Sequence, residues 1–189
     1  MSKEKIKENL RRFLLEKKTD VHSFGCVMLF FDVDKKNWGD VQLLIDEEDI
    51  YTEEGDKSFG REDEPHITLL YGLHATNSDD KIKEVSEKME IIEVELKKIT
   101  IFEKDKYDVV KFDIIGKSKD KLSKINKEYV KLPHTTDYPN YEPHSTLAYV
   151  KSGCGKKYIK TLSDDTKITV KCDKIVYSKA DGNKITYKL

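Results

Sequence analysis

Hydrophobic and polar positions along this chain change rhythm often enough to mark most of its elements. Ile6, Leu10, Phe13 and Leu14 recur at helical spacing and predict an amphipathic helix over residues 3–18. The apolar run from Phe24 to Asp32 predicts a buried strand, and Trp38, Val41, Leu44 and Ile45 mark a short helix after it. Residues 51–64 are acidic, hold two glycines and show no periodicity, so they read as a loop. Beyond a strand, Asn77 and Ser78 are N-cap candidates for a helix carrying Ile82, Val85 and Met89. Residues 95–103 and 107–115 predict a hairpin about Lys104, Asp105 and Lys106, and Leu122, Ile125 and Tyr129 predict a further helix. Residues 132–143 hold three of the four prolines and read as a second loop. A strand follows it, then a basic stretch at 151–160, then two strand-like runs about a turn at residues 181–183.

Against this background one pattern occurs twice. Glu64 to Tyr71 reads EPHITLLY and Glu142 to Tyr149 reads EPHSTLAY, each just after one of the two loops. The matching contexts predict two motif strands, 65–72 and 143–150, in two similar lobes related by a pseudo-twofold axis. The expected class is α+β, with a mostly antiparallel sheet in each lobe, flanking helices and a central cleft. A chain of 189 residues is the right size for this as a single domain spanning 1–189.

Strand parity then assigns faces. Alternate side chains of a strand point the same way, so His66 and Thr68 share one face while Ile67 and Leu69 take the other. The second copy places His144 and Thr146 together, opposed by Ser145 and Leu147. By the same alternation Leu69, Tyr71, Leu147 and Tyr149 are expected in the core. Pro65 and Pro143 suit the first position of a strand, since they lack a backbone donor. They also extend Glu64 and Glu142, which puts those residues on the histidine face, either as solvated carboxylates or as partners that orient an imidazole.

Two imidazoles and two hydroxyls across one cleft suit in-line displacement at a phosphodiester. One neutral histidine takes a proton from the nucleophile and one protonated histidine delivers a proton to the leaving oxygen. The hydroxyls of Thr68 and Thr146 would hold the non-bridging oxygens. This chemistry needs no metal or cofactor. The symmetric motif leaves open which histidine is acid and which is base, and whether water or a ribose 2′-hydroxyl attacks.

Composition narrows the partners. The 35 basic and 36 acidic residues leave a formal net charge of -1, which gives no general attraction to long nucleic acid or an anionic membrane. No apolar run reaches the length of a membrane span or a secretory signal, so the chain reads as neither membrane-bound nor exported. Cys26, Cys154 and Cys172 are widely spaced and odd in number, which suits a reducing compartment, and Cys26 reads as a small buried side chain. His22, His74 and His134 form no metal-ligand spacing, although the last two could border the cleft.

The paired stretches His66-Ile67-Thr68-Leu69 and His144-Ser145-Thr146-Leu147 resemble the signature strands of the two-histidine (2H) phosphoesterase superfamily. The resemblance implies a bilobal 2H phosphoesterase fold, metal-independent phosphodiesterase activity, and catalytic roles for His66, Thr68, His144 and Thr146. The stretches FGCVM, DIYTEEGD and EPHITLLYGLH are similar to phage anti-CBASS phosphodiesterases. That likeness implies a cyclic di- or trinucleotide substrate, destruction of bacterial antiviral messengers and a place in the host-cell cytoplasm. An RNA-processing 2H enzyme acting on 2′,3′-cyclic or 2′,5′-linked ends, and a binding module without turnover, are the alternatives. A purine-bearing substrate would call for aromatic side chains at the rim, and Tyr51, Phe59, Tyr138 and Tyr141 lie on the two loops that lead to the motif strands. Lys151, Lys156 and Lys157 follow the second strand and could meet phosphates.

Overall fold

The computed structural model describes residues 24–189 apart from 33, 34, 57, 75–77, 137, 139 and 163–165. The helix expected over 3–18, His22 and the cap candidate Asn77 lie outside the described residues. In strand β1 (Gly25–Asp32) Val27, Leu29 and Phe31 alternate into the core. Helix α1 (Lys35–Leu43) buries Trp38 and Val41. It stops short of Leu44, which the periodicity had placed on the helix and which is 51% exposed, while Ile45 turns inward.

Strand β2 (His66–Leu73), helix α2 (Asp79–Glu87), strands β3 (Ile92–Glu103) and β4 (Tyr107–Ile114), helix α3 (Gly116–Tyr129) and strand β5 (His144–Lys151) follow. Helix α4 (Gly155–Thr161), which the basic stretch did not announce, leads to strands β6 (Ile168–Ser178) and β7 (Lys184–Lys188). The order across the sheet is β2-β1-β6-β3-β4-β5, with β7 also paired to β6, and every pairing is antiparallel. The α+β arrangement is the one the sequence implies. Its halves, β2-β1-β6 and β3-β4-β5, are joined through the β3–β6 ladder into one sheet, with a motif strand at each edge of that order.

Those edges come together. Strands β2 and β5 contact each other, and the Tyr141 hydroxyl donates to the Thr68 carbonyl at 3.0 Å. The segments leading to them are exchanged: Glu62 N–H donates to Leu147 O and Tyr149 N–H to Gly60 O, so the approach to β2 pairs with β5. Reciprocally, His74 N–H donates to Pro133 O and Thr135 N–H to Gly72 O, so the approach to β5 pairs with β2. Each motif strand is thereby covered, as an unpaired sheet edge must be. At Gly72 (φ 89°) a Cβ would lie 1.7 Å from the Thr135 carbonyl oxygen, so only glycine allows this approach.

Candidate active site

Both motif strands carry the same irregularity. Opposite β1 the register slips between Val27, paired with Leu70, and Met28, paired with Thr68, which makes Leu69 an extra residue. Opposite β4 it slips between Val110, paired with Ala148, and Lys111, paired with Thr146, which makes Leu147 extra. A bulge of this kind lets two successive residues face the same side. Leu69 and Leu70 are accordingly both buried, as are Leu147 and Ala148, and the tyrosines change face. Tyr71 and Tyr149, expected in the core, instead share the histidine side: Tyr71 is 47% exposed and both line the cleft. Simple alternation fails here because nothing in Leu-Leu or Leu-Ala signals the slip.

Each bulge is held by a carboxamide from a helix. Asn126 Nδ2 on α3 donates to Leu69 O at 2.7 Å, and Gln42 Nε2 on α1 donates to Leu147 O at 2.9 Å. Gln42 also reaches Glu62 O at 2.8 Å.

The imidazoles are oriented identically. His66 Nδ1 lies 2.8 Å from Glu64 O, and His144 Nδ1 lies 2.9 Å from Glu142 O. A carbonyl only accepts, so Nδ1 carries hydrogen in both rings and Nε2 is left for proton transfer. The glutamates therefore act through their backbones. Their carboxylates pair elsewhere, Glu64 with Lys184 at 3.5 Å and Glu142 with Lys119 at 2.6 Å.

The surroundings of the rings differ. His66 stacks on Phe30 with centroids 5.3 Å apart, while His144 meets Phe102 edge-on at 5.0 Å. Burial, with the cation of Lys111 nearby, holds the His144 imidazole below its ordinary pKa despite the Glu142 carbonyl and Asp113. The two histidines are close enough for charge on one to oppose charge on the other. Thr68 and Thr146 are half-buried on the same face as the histidines, and the Thr68 hydroxyl bonds the Cys26 sulfur. Burial pushes the Cys26 thiol up to about 12, so it is no nucleophile at neutral pH.

A cleft of about 540 Å³ opens beside His66, walled by Phe30, Phe59, Tyr71 and Tyr149 and edged by Glu62. Of the expected rim aromatics only Phe59 lines it; Tyr51 packs edge-on behind Phe59 at 5.1 Å. Tyr141 is half-buried against the core, and Tyr138 is 63% exposed beside Lys104. The lysines at the end of β5 and beyond it are not brought to the cleft. Lys151 donates to Glu48 O at 2.5 Å, Lys156 pairs with Glu103 at 2.6 Å, and Lys157 pairs with Asp46 at 2.7 Å and Asp49 at 2.5 Å. His74 bonds Thr135 Oγ1, and His134 bonds Leu132 O. Glu62 is a site residue that sequence reading missed: it is half-buried, its carboxylate accepts from Glu64 N–H at 3.0 Å, and burial raises its pKa while the nearby His66 opposes the rise. Among the described residues no group of three or more His, Cys, Asp or Glu is arranged to hold a metal ion.

Residues 34–184 match the family model of the 2′-5′ RNA ligase superfamily. The chain belongs to that superfamily, a branch of the two-histidine phosphoesterases. Its fold is similar to that of Kluyveromyces marxianus Usb1, with TM-score 0.60 and 12% identity over 88% of this chain and 98% of that one. The same protein with uridine monophosphate gives 0.59 and 12% over 88% and 99%. Escherichia coli LigT complexed with 3′-AMP gives 0.53 and 10% over 88% and 95%. A comparison with curated protein sequences found no match. The superfamily's enzymes are phosphodiesterases of the 2H type.

Proposed function

We propose that this chain is a metal-independent phosphodiesterase whose substrate is a cyclic di- or trinucleotide, so that it removes a messenger of bacterial antiviral signalling. The observation that carries the catalytic reading is the twin imidazole arrangement, each ring fixed by a carbonyl at Nδ1 with a threonine hydroxyl two residues on. His144, held below its ordinary pKa, is suited to accept the proton of the attacking hydroxyl as the new O–P bond forms. His66 then gives its Nε2 proton to the leaving oxygen as the old P–O bond breaks. Thr68 and Thr146 hold the non-bridging oxygens.

A compact substrate is supported by the cleft, whose volume lies within the roughly 300–1,000 Å³ of small-molecule sites and whose charged lining is mixed, Glu62, Asp63 and Glu64 beside Arg61 and Lys184, with no basic track for a long polyanion among the described residues. Tyr71, Tyr149 and Phe59 offer faces for a base, and Glu62 an acceptor for a base N–H. A second reading, cleavage at 2′,3′-cyclic or 2′,5′-linked RNA ends, draws support from the fold shared with Usb1 and LigT, which have been captured with mononucleotides.

The test is incubation of the purified protein, with chelator present, against cyclic dinucleotides, cyclic trinucleotides and 2′,3′-cyclic RNA. Cleavage of the cyclic oligonucleotides that is lost in His66→Ala and His144→Ala is the expected result. Cleavage of RNA ends alone would favour the second reading. Binding without turnover of any substrate would overturn the enzymatic reading.

A further inference from the structure

We propose that the charge pair Lys111–Asp113 breaks the equivalence of the two histidines, fixing His144 as the proton acceptor and His66 as the proton donor. The proposal deepens the phosphodiesterase reading above and rests on it.

The halves contain nearly the same group. His66 stacks on Phe30, over whose ring Lys174 Nζ lies 5.8 Å from the centroid. His144 meets Phe102, over whose ring Lys111 Nζ lies 4.1 Å from the centroid. Each lysine has an aspartate: Asp32 at 3.9 Å from Lys174, and Asp113 in direct contact with Lys111. Solvent distinguishes them. The Lys174 and Asp32 side chains are 37% and 85% exposed, whereas those of Lys111 and Asp113 are 5% and 30% exposed. Exposed charges are screened by water and salt, while a cation held out of solvent acts through a lower dielectric.

Lys111 is also fixed in place. On β4 it stands opposite Thr146, and Asp113 stands opposite His144, so both occupy the face that carries the motif side chains. Its ammonium donates to Thr100 Oγ1 at 2.6 Å and to Asp113. The charges facing His144 are Lys111 and Asp113 on β4 and His66 on β2, with the Glu142 carbonyl before its own strand. The Glu142 carboxylate is occupied by Lys119. Burial weighs most against an imidazolium at His144, and Lys111 and His66 add to it, while the Glu142 carbonyl and Asp113 favour it. His66 faces Glu62, which attracts a positive ring. His144 is therefore the ring kept neutral, the state that in-line displacement requires of the base.

The test is an NMR titration of the histidine Cε1–H resonances of the full chain, assigned with His66→Ala and His144→Ala, together with the pH profile of kcat/KM. Lys111→Met removes the cation and keeps the bulk; His144 titration and the acid limb of the profile are expected to move up by about one pH unit. Asp113→Asn leaves the cation uncompensated and is expected to move both down. Lys111→Arg keeps the charge and should titrate near wild type. A packing defect would not move the two variants in opposite directions. Unchanged titration, or shifts of the same sign in Lys111→Met and Asp113→Asn, would overturn the proposal. Binding without turnover in the wild-type chain would overturn the phosphodiesterase reading, and the His144 titration would still report on the charge pair.

Discussion

At the scale of single residues, the four motif side chains carry the largest expected effects. His66→Ala and His144→Ala should each lower kcat by about 10²- to 10⁴-fold, and Thr68→Val or Thr146→Val by about 10²-fold, in a steady-state assay on the cleaved substrate. Because His144 is held below its ordinary pKa and must be neutral to act as base, the acid limb of the rate profile should fall below pH 6.5; a limb above that value would contradict its role. Glu62→Gln adds a donor where the cleft offers an acceptor. It should change the preference among bases by roughly tenfold, read by competition between purine and pyrimidine mononucleotides. Parity placed the histidines and threonines on one face from sequence alone, since the bulge falls one residue after each threonine. Lys111 was hidden for the opposite reason. Within YDVVKFDI it looks like a solvent-facing strand position, and only the fold brings Thr100, Phe102 and Thr146 around it.

At the scale of elements, the bulges decide which residues can reach a substrate. The strands, the β3–β4 hairpin and helices α2 and α3 were legible because their apolar spacing is local. The bulges were not, because each is fixed by a distant carboxamide. The two supports are unequal: Leu69 O receives Asn126, whereas Leu147 O receives both Gln42 and Glu62 N–H. Asn126→Ala leaves a buried carbonyl without that donor and should cost about 1–3 kcal/mol in urea unfolding. Gln42→Ala should cost less, about 1 kcal/mol or under, since Leu147 O keeps a backbone donor. Equal losses would show that the carbonyls are satisfied in some other way. Asn126→Ala should also lower kcat more than it raises KM, because β2 carries His66 and Thr68.

At the scale of the whole molecule, two lobes expected from an internal repeat turn out to be mechanically interlocked. The β3–β6 ladder joins them through the sheet, and the exchanged approaches join them again where the motif strands meet. Trp38 lies between the halves, its ring 5.9 Å from Phe31 on β1 and 6.0 Å from Phe112 on β4. A structure tied in this way has no half that can lose its packing alone, so unfolding should be a single cooperative transition. Trp38 fluorescence reports the junction and far-UV circular dichroism reports the strands and helices, and their denaturation midpoints should coincide. Gly72→Ala tests the exchange itself. Its Cβ would collide with the Thr135 carbonyl in a backbone conformation that disfavours any side chain, at a cost of about 2 kcal/mol or more. The expected result is that both midpoints fall together. If the two probes separate instead, with one half retaining its signal, the halves fold independently and the approach of the two motif strands depends on docking rather than on a continuous core.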